Sequence, residues 1–101
     1  MEQPVLKPQI QVFVCTNERQ NEDCCASVQG MEIFRALKTW VREQGLTQQV
    51  WVTRTGCMTF CNPIGTTIVI HPQNMWFTKV VMGDLAEIKE RIKTIIAQTF
   101  L

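Results

Sequence analysis

Little in this sequence points to a charged partner or a membrane. Ten basic residues stand against nine acidic ones, a net charge of +1 over 101 residues. The first fifty residues carry five basic and six acidic groups, so neither sign is concentrated in that half. Such a balance excludes the electrostatic footprint of a nucleic-acid or anionic-membrane binder. No stretch approaches the roughly 20 apolar residues that a bilayer-spanning helix needs. Residues 1–14 contain two prolines, one acid and one lysine, and no apolar run of signal-peptide length. The expectation is therefore a cytoplasmic chain. No Ser/His/Asp set, phosphate-cradling glycine loop or carboxylate pair is present, and the protein is not expected to be an enzyme.

What is present is an ordinary globular composition, 46% apolar and 19% charged, in a chain long enough for one domain with a modest core. Residues 1–9 are polar, contain Pro4 and Pro8, and read as a flexible N-terminal arm before a domain over 10–101. Ile10, Val12 and Val14 alternate with Gln11 and Phe13, the period of a strand. Thr16 to Asp23 is a polar loop. Ile33, Phe34, Leu37, Trp40 and Val41 recur at helical spacing, and Gly45 stops that helix. Val50 to Val52 begin a second strand ending near Thr55 and Gly56. After a loop over 57–65, Thr66 to Ile70 and Met75 to Val81 make a hairpin about the turn Pro72-Gln73-Asn74. Asp84 with Glu87 opens a last helix in an acidic version of the capping box, with Leu85, Ile88, Ile92, Ile95 and Ile96 on its buried stripe.

The order β-α-β-β-β-α implies an α/β domain: a mixed sheet flanked by helices that cover its faces. A crossover makes the first two strands parallel, and the hairpin extends the sheet.

The abnormal feature is five cysteines, an odd number that fits disulfides badly. In a reducing compartment clustered cysteines point to a metal or to redox chemistry. Cys15 follows the first strand, Cys24 and Cys25 precede the first helix, and Cys57 and Cys61 follow the second strand. If the two strands are parallel, all five thiols gather at one sheet edge, where open α/β sheets bind ligands. Four thiolates at one point suit a tetrahedral zinc or a [2Fe–2S] cluster. Structural zinc favours two short Cys-x₂₋₄-Cys knuckles, whereas here only Cys57-x₃-Cys61 is close and Cys15 and Cys25 are separated by nine residues. The wider frame fits two irons better. It matches neither the plant-type nor the bacterial ferredoxin run.

From about Gln11 to Ala97 the chain resembles the thioredoxin-like [2Fe–2S] ferredoxins. Val14-Cys15-Thr16-Asn17, Cys25-Ala26-Ser27 before a helix, Gly56-Cys57-x₃-Cys61, and the hairpin with Ile70-His71-Pro72 and Trp76-Phe77 carry the resemblance. It implies a thioredoxin-like fold, a [2Fe–2S] cluster near the surface, one-electron transfer to a transiently docked redox partner protein, and often a homodimer. It also implies the ligands Cys15, Cys25, Cys57 and Cys61. Counting back from Leu37-Lys38 places the second ligand on Cys25, with Cys24 as the alternative. The first ligand loop is short, carrying Glu18, Glu22 and Asp23. The glycine usual within the family's Cys-x₃-Cys loop is missing from Met58-Thr59-Phe60.

Two other classes compete. A thioredoxin-type disulfide exchanger would need a Cys-x-x-Cys at a helix start, and none is present; the adjacent Cys24-Cys25 pair would be strained as a disulfide. A cluster-free or zinc-binding thioredoxin-like interaction module would use the same fold. His71 is the single histidine, so a Rieske-type pair is excluded, and a structural or solvent-facing role is expected for it. Trp40 and Trp51 read as core; Trp76 reads as core ahead of packing near a cluster or at a dimer contact. Met58 and Phe60 read equally as apolar cover for a metal centre and as loop packing.

Overall fold

The computed structural model describes residues 1–17, 29–60 and 63–99. Strand β1 (Ile10–Cys15) alternates as its sequence requires: Ile10, Val12 and Val14 are buried, Gln11 and Phe13 half-buried. Helix α1 (Gly30–Glu43) then carries the chain back to β2 (Val50–Thr55). A crossover of this length is what parallel pairing needs. β1 and β2 are parallel, in register from Ile10↔Val50 to Cys15↔Thr55. β3 (Thr66–His71) and β4 (Met75–Val80) form the hairpin, with β3 antiparallel to β1. The sheet order is β2-β1-β3-β4, so β1 is an interior strand. A short 3₁₀ turn, Met82–Asp84, leads into helix α2 (Leu85–Thr99). The mixed α/β architecture is the one expected.

Burying an apolar side chain in such a core contributes about 1.5–3 kcal/mol. Ile33, Leu37, Trp40 and Val41 of α1 and Leu85, Ile88 and Ile92 of α2 join one core with Ile10, Val12 and Val14 of β1 and Ile68 and Ile70 of β3. Strand side chains alternate between faces, so residues spaced by two lie on a single face. Both helices therefore cover the same side of the sheet, which corrects the expectation of helices over both faces.

The other side carries Phe13, Val69 and Trp76 in one row, paired Phe13↔Val69 and Val69↔Trp76, and Trp51 opposite Gln11 in the next. Trp51 is 39% exposed and Trp76 47%, so of the three tryptophans read as core only Trp40 is buried. The sequence count placed Trp51 within an apolar triplet, Val50-Trp51-Val52. Alternation sends its two neighbours to the helices and the indole to the opposite face. His71 lies on this side too, exposed, its ring 6.4 Å from that of Phe13.

Two junctions set the loops. Gly45, with φ of +68°, stops α1 in the left-handed conformation that glycine adopts most cheaply. Before α2, Asp84 does not cap toward Glu87. It sits one turn earlier, its carboxylate accepting the Val81 N–H at 3.0 Å while its own N–H donates to the Val81 carbonyl at 2.9 Å. The capping interaction thus closes the 3₁₀ turn, because the chain tightens before the α-helical spacing begins.

Candidate metal centre

Cys15 ends β1 and is fully buried at 1% exposure. Its parallel partner Thr55 ends β2, and Gly56 and Cys57 follow immediately. The Cys15 thiol donates to the Gly56 carbonyl at 3.2 Å, and the Thr55 hydroxyl donates to the same oxygen at 2.8 Å. Across the junction the Thr16 N–H and hydroxyl both donate to the Thr55 carbonyl, at 3.0 and 3.3 Å. The first cysteine is thereby tied to the residue preceding the fourth. On the other flank the Thr66 hydroxyl of β3 donates to the Cys15 carbonyl at 2.7 Å. Cys15 is held from both neighbouring strands.

Cys57 is exposed and sits in a different environment. The Thr59 N–H donates to its Sγ at 3.3 Å. Thr59 makes this contact from φ of +83°, a conformation costly for a β-branched residue. Thr59 lies in the Met58-Thr59-Phe60 loop, which lacks the glycine usual in the family. Phe60, half exposed at 51%, packs edge-on against Trp76 with ring centres 5.7 Å apart.

The structure thus brings two of the four expected ligands, Cys15 and Cys57, to the carboxyl ends of adjacent strands. Cys24, Cys25 and Cys61 lie outside the described residues, as does the acidic part of the loop with Glu18, Glu22 and Asp23. Among the described residues no group of three or more His, Cys, Asp or Glu side chains is assembled that could hold a metal. Thr66 and Thr67 were not singled out from the sequence as residues of the site. Two adjacent hydroxyls in a strand buried on both faces are the signal that marks Thr66 and Thr67; both are at most 1% exposed.

The donors fit a soft iron–sulfur centre better than a hard cation. Both located candidates are sulfur, one already accepts a backbone N–H, and the Thr67 hydroxyl is buried without a hydrogen-bond partner beside this strand end. No helix among the described residues is long and apolar enough to cross a membrane.

Comparison with known proteins agrees with this geometry. No family profile matches the chain. It is 30% identical over 89 residues to a 2Fe-2S ferredoxin of Clostridium pasteurianum, covering 85% of this chain and 86% of that one. It is 31% identical over 84 residues to a 2Fe-2S ferredoxin of Aquifex aeolicus, covering 79% and 75%. The fold superposes on the crystal structure of the thioredoxin-like [2Fe–2S] ferredoxin from Aquifex aeolicus with a TM-score of 0.74 and 29% identity, over 84% of this chain and 85% of that one. Sheet, crossover and strand-end cysteines define a thioredoxin-like α/β protein with Cys15 and Cys57 at one sheet edge. Within that class the chain belongs to the thioredoxin-like [2Fe–2S] ferredoxin family, whose members are small electron carriers.

Proposed function

We propose that this chain carries single electrons on a [2Fe–2S] cluster held by Cys15 and Cys25 on one iron and Cys57 and Cys61 on the other, with Cys24 the alternative to Cys25. The observation that carries the reading is the Cys15 thiol on the carbonyl of Gly56, which sets the first candidate ligand against the residue next to Cys57. The bound cluster supplies a reversible one-electron change at a potential tuned by its surroundings.

The chain's own residues have definable tasks in this reading. Cys15 gives up the thiol proton it now donates, and the Gly56 oxygen keeps the Thr55 hydroxyl as a donor. The Thr59 N–H offsets negative charge on the Cys57 sulfur. Thr66 fixes the carbonyl of Cys15, so the ligand-bearing strand end does not drift. Among the described residues no set for transforming a substrate accompanies these groups, and the protein is read as a carrier rather than an enzyme. The exposed rings of Phe60 and Trp76 beside the Cys57 loop offer an apolar landing point for a redox partner. Docking of this kind is small and transient. The sheet face that the helices leave open, with Trp51 and Trp76, is where a homodimer of this family member would form. A cytoplasmic location completes the reading.

Anaerobic purification followed by a visible spectrum and an iron and sulfide assay tests it. Two irons and two sulfides per chain are expected. A colourless chain with one zinc would support the interaction-module reading instead. Cys24→Ser and Cys25→Ser, assayed separately, assign the second ligand: cluster content falls in Cys25→Ser and stays in Cys24→Ser. Light scattering on the loaded protein decides between monomer and dimer.

A further inference from the structure

One buried donor near the strand-end cysteines has no use in the structure as it stands. Thr67 is 1% exposed, and among the described residues its Oγ1 is one of three buried side-chain N or O atoms without a hydrogen-bond partner. A buried hydroxyl with nothing to bond is unfavourable, and such groups call for an explanation. Its neighbour Thr66 has one, the Cys15 carbonyl.

The register supplies the missing partner. β1 and β3 pair Phe13↔Val69 and Val14↔Ile68, so one further step of the antiparallel ladder sets Thr67 opposite Cys15. Side chains directly opposed across two antiparallel strands share a face, with Cβ atoms about 4.5–5.5 Å apart. The Cys15 thiol donates to Gly56, and in this state no hydrogen bond joins its sulfur, as a thiol only a weak acceptor, to the Thr67 hydroxyl. A cysteine bound to a metal is a thiolate, with no proton to donate and several lone pairs to offer. Facing the Gly56 oxygen would then set two acceptors against each other. Among the described residues, the Thr67 hydroxyl on the neighbouring strand is a buried donor without a partner.

We propose that the Thr67 hydroxyl donates a hydrogen bond to the Cys15 sulfur in the cluster-loaded protein and is a positioning residue that raises the cluster's reduction potential. This rests on the reading of Cys15 as a cluster ligand. Hydrogen bonds to the sulfurs stabilise the more negative, reduced form and are among the determinants of potential. The device is stored at a cost in the empty protein and becomes useful only when the sulfur loses its proton.

Thr67→Val keeps the shape and removes the donor, and Thr67→Ser keeps the donor. In the loaded proteins, redox titration should show the oxidised-to-reduced equilibrium of Thr67→Val shifted roughly tenfold toward the oxidised form, a lowering of about 59 mV for one electron, with Thr67→Ser near wild type. In the empty proteins, Thr67→Val should melt no lower than wild type, because an unpaired buried hydroxyl has been removed. If Thr67→Val does not fold, Thr67→Ala carries the same comparison of potentials. An unchanged potential in the variant without the donor overturns the proposal. So does a lowered potential that Thr67→Ser fails to restore, since packing would then be the cause. A wild-type chain that takes up no iron and sulfide overturns the ferredoxin reading and this inference with it, whereas the first two results leave that reading intact.

Discussion

The thiol of Cys15 donates to the carbonyl oxygen of Gly56 at 3.2 Å, across 41 positions of sequence. Parallel pairing of β1 with β2 is what makes this contact, since it brings the carboxyl ends of both strands to one edge. Cys15 and Cys57, the two described cysteines at that edge, differ in burial, and their substitutions should differ accordingly. Cys57→Ala, at an exposed position, is expected to change the stability of the empty protein by no more than about 0.5 kcal/mol. Cys15→Ala, at 1% exposure, should cost about 1 kcal/mol or more. Both should abolish the visible absorption of the cluster. Urea titration of the empty variants beside iron and sulfide assays checks both halves.

Thr59 holds a φ of +83° while its N–H reaches the Cys57 sulfur. A left-handed backbone at a β-branched residue costs about 1–3 kcal/mol. Thr59→Gly keeps the N–H and removes the crowding, so the variant should be about 1 kcal/mol more stable in denaturant titration. A loss of stability would show that the hydroxyl or methyl makes a contact that outweighs the strain.

Gly65 approaches the β4 backbone where the ladder slips between Thr66 and Ile68 and where Lys79 turns through a φ of +58°. A Cβ at this glycine would overlap the main chain of Lys79 and Val80. Gly65→Ala should destabilise the fold by about 1–3 kcal/mol or more, as forced overpacking does. The comparison Gly83→Ala, where a Cβ meets nothing within 4 Å, should be close to neutral. Thermal melts of the pair give the contrast.

Asp84 accepts the Val81 N–H at 3.0 Å ahead of α2. Asp84→Ala removes that cap and should cost about 1 kcal/mol, with hydrogen exchange accelerated first at the start of α2. Glu87→Ala should cost less than about 0.5 kcal/mol, because its partner Arg91 is an exposed i,i+4 contact.

Much of this was legible from residue pattern because the pattern and the physics coincide. Ile10-x-Val12-x-Val14 has a period of two, and Ile33, Leu37, Trp40 and Val41 follow the helical one; both sets are buried as spaced. The strand-end placement of Cys15 and Cys57 followed from topology, since a crossover fixes which ends coincide. Trp51 and Trp76 were not legible as surface residues. Which side of a sheet the helices occupy is decided by tertiary packing, and an apolar triplet such as Val50-Trp51-Val52 does not say which member turns away. The role of Thr66 was hidden for another reason: a β-branched run reads as strand propensity, and a hydroxyl bonding to a carbonyl two strands' worth of sequence away leaves no local trace. Cys24, Cys25 and Cys61 lie outside the described residues, and their assignment rests on the proposed ligand set.

β1 is clamped between β2 and β3, while Cys57 rides on an exposed loop beyond the last residue of β2. If the proposed ligands hold the cluster, attack by a chelator or an oxidant should be directional, beginning at the exposed Cys57 sulfur, with the strand-borne Cys15 sulfur the last to let go. Degradation should pass through a species anchored from the sheet side alone, and repair or reloading would start from that same fixed point.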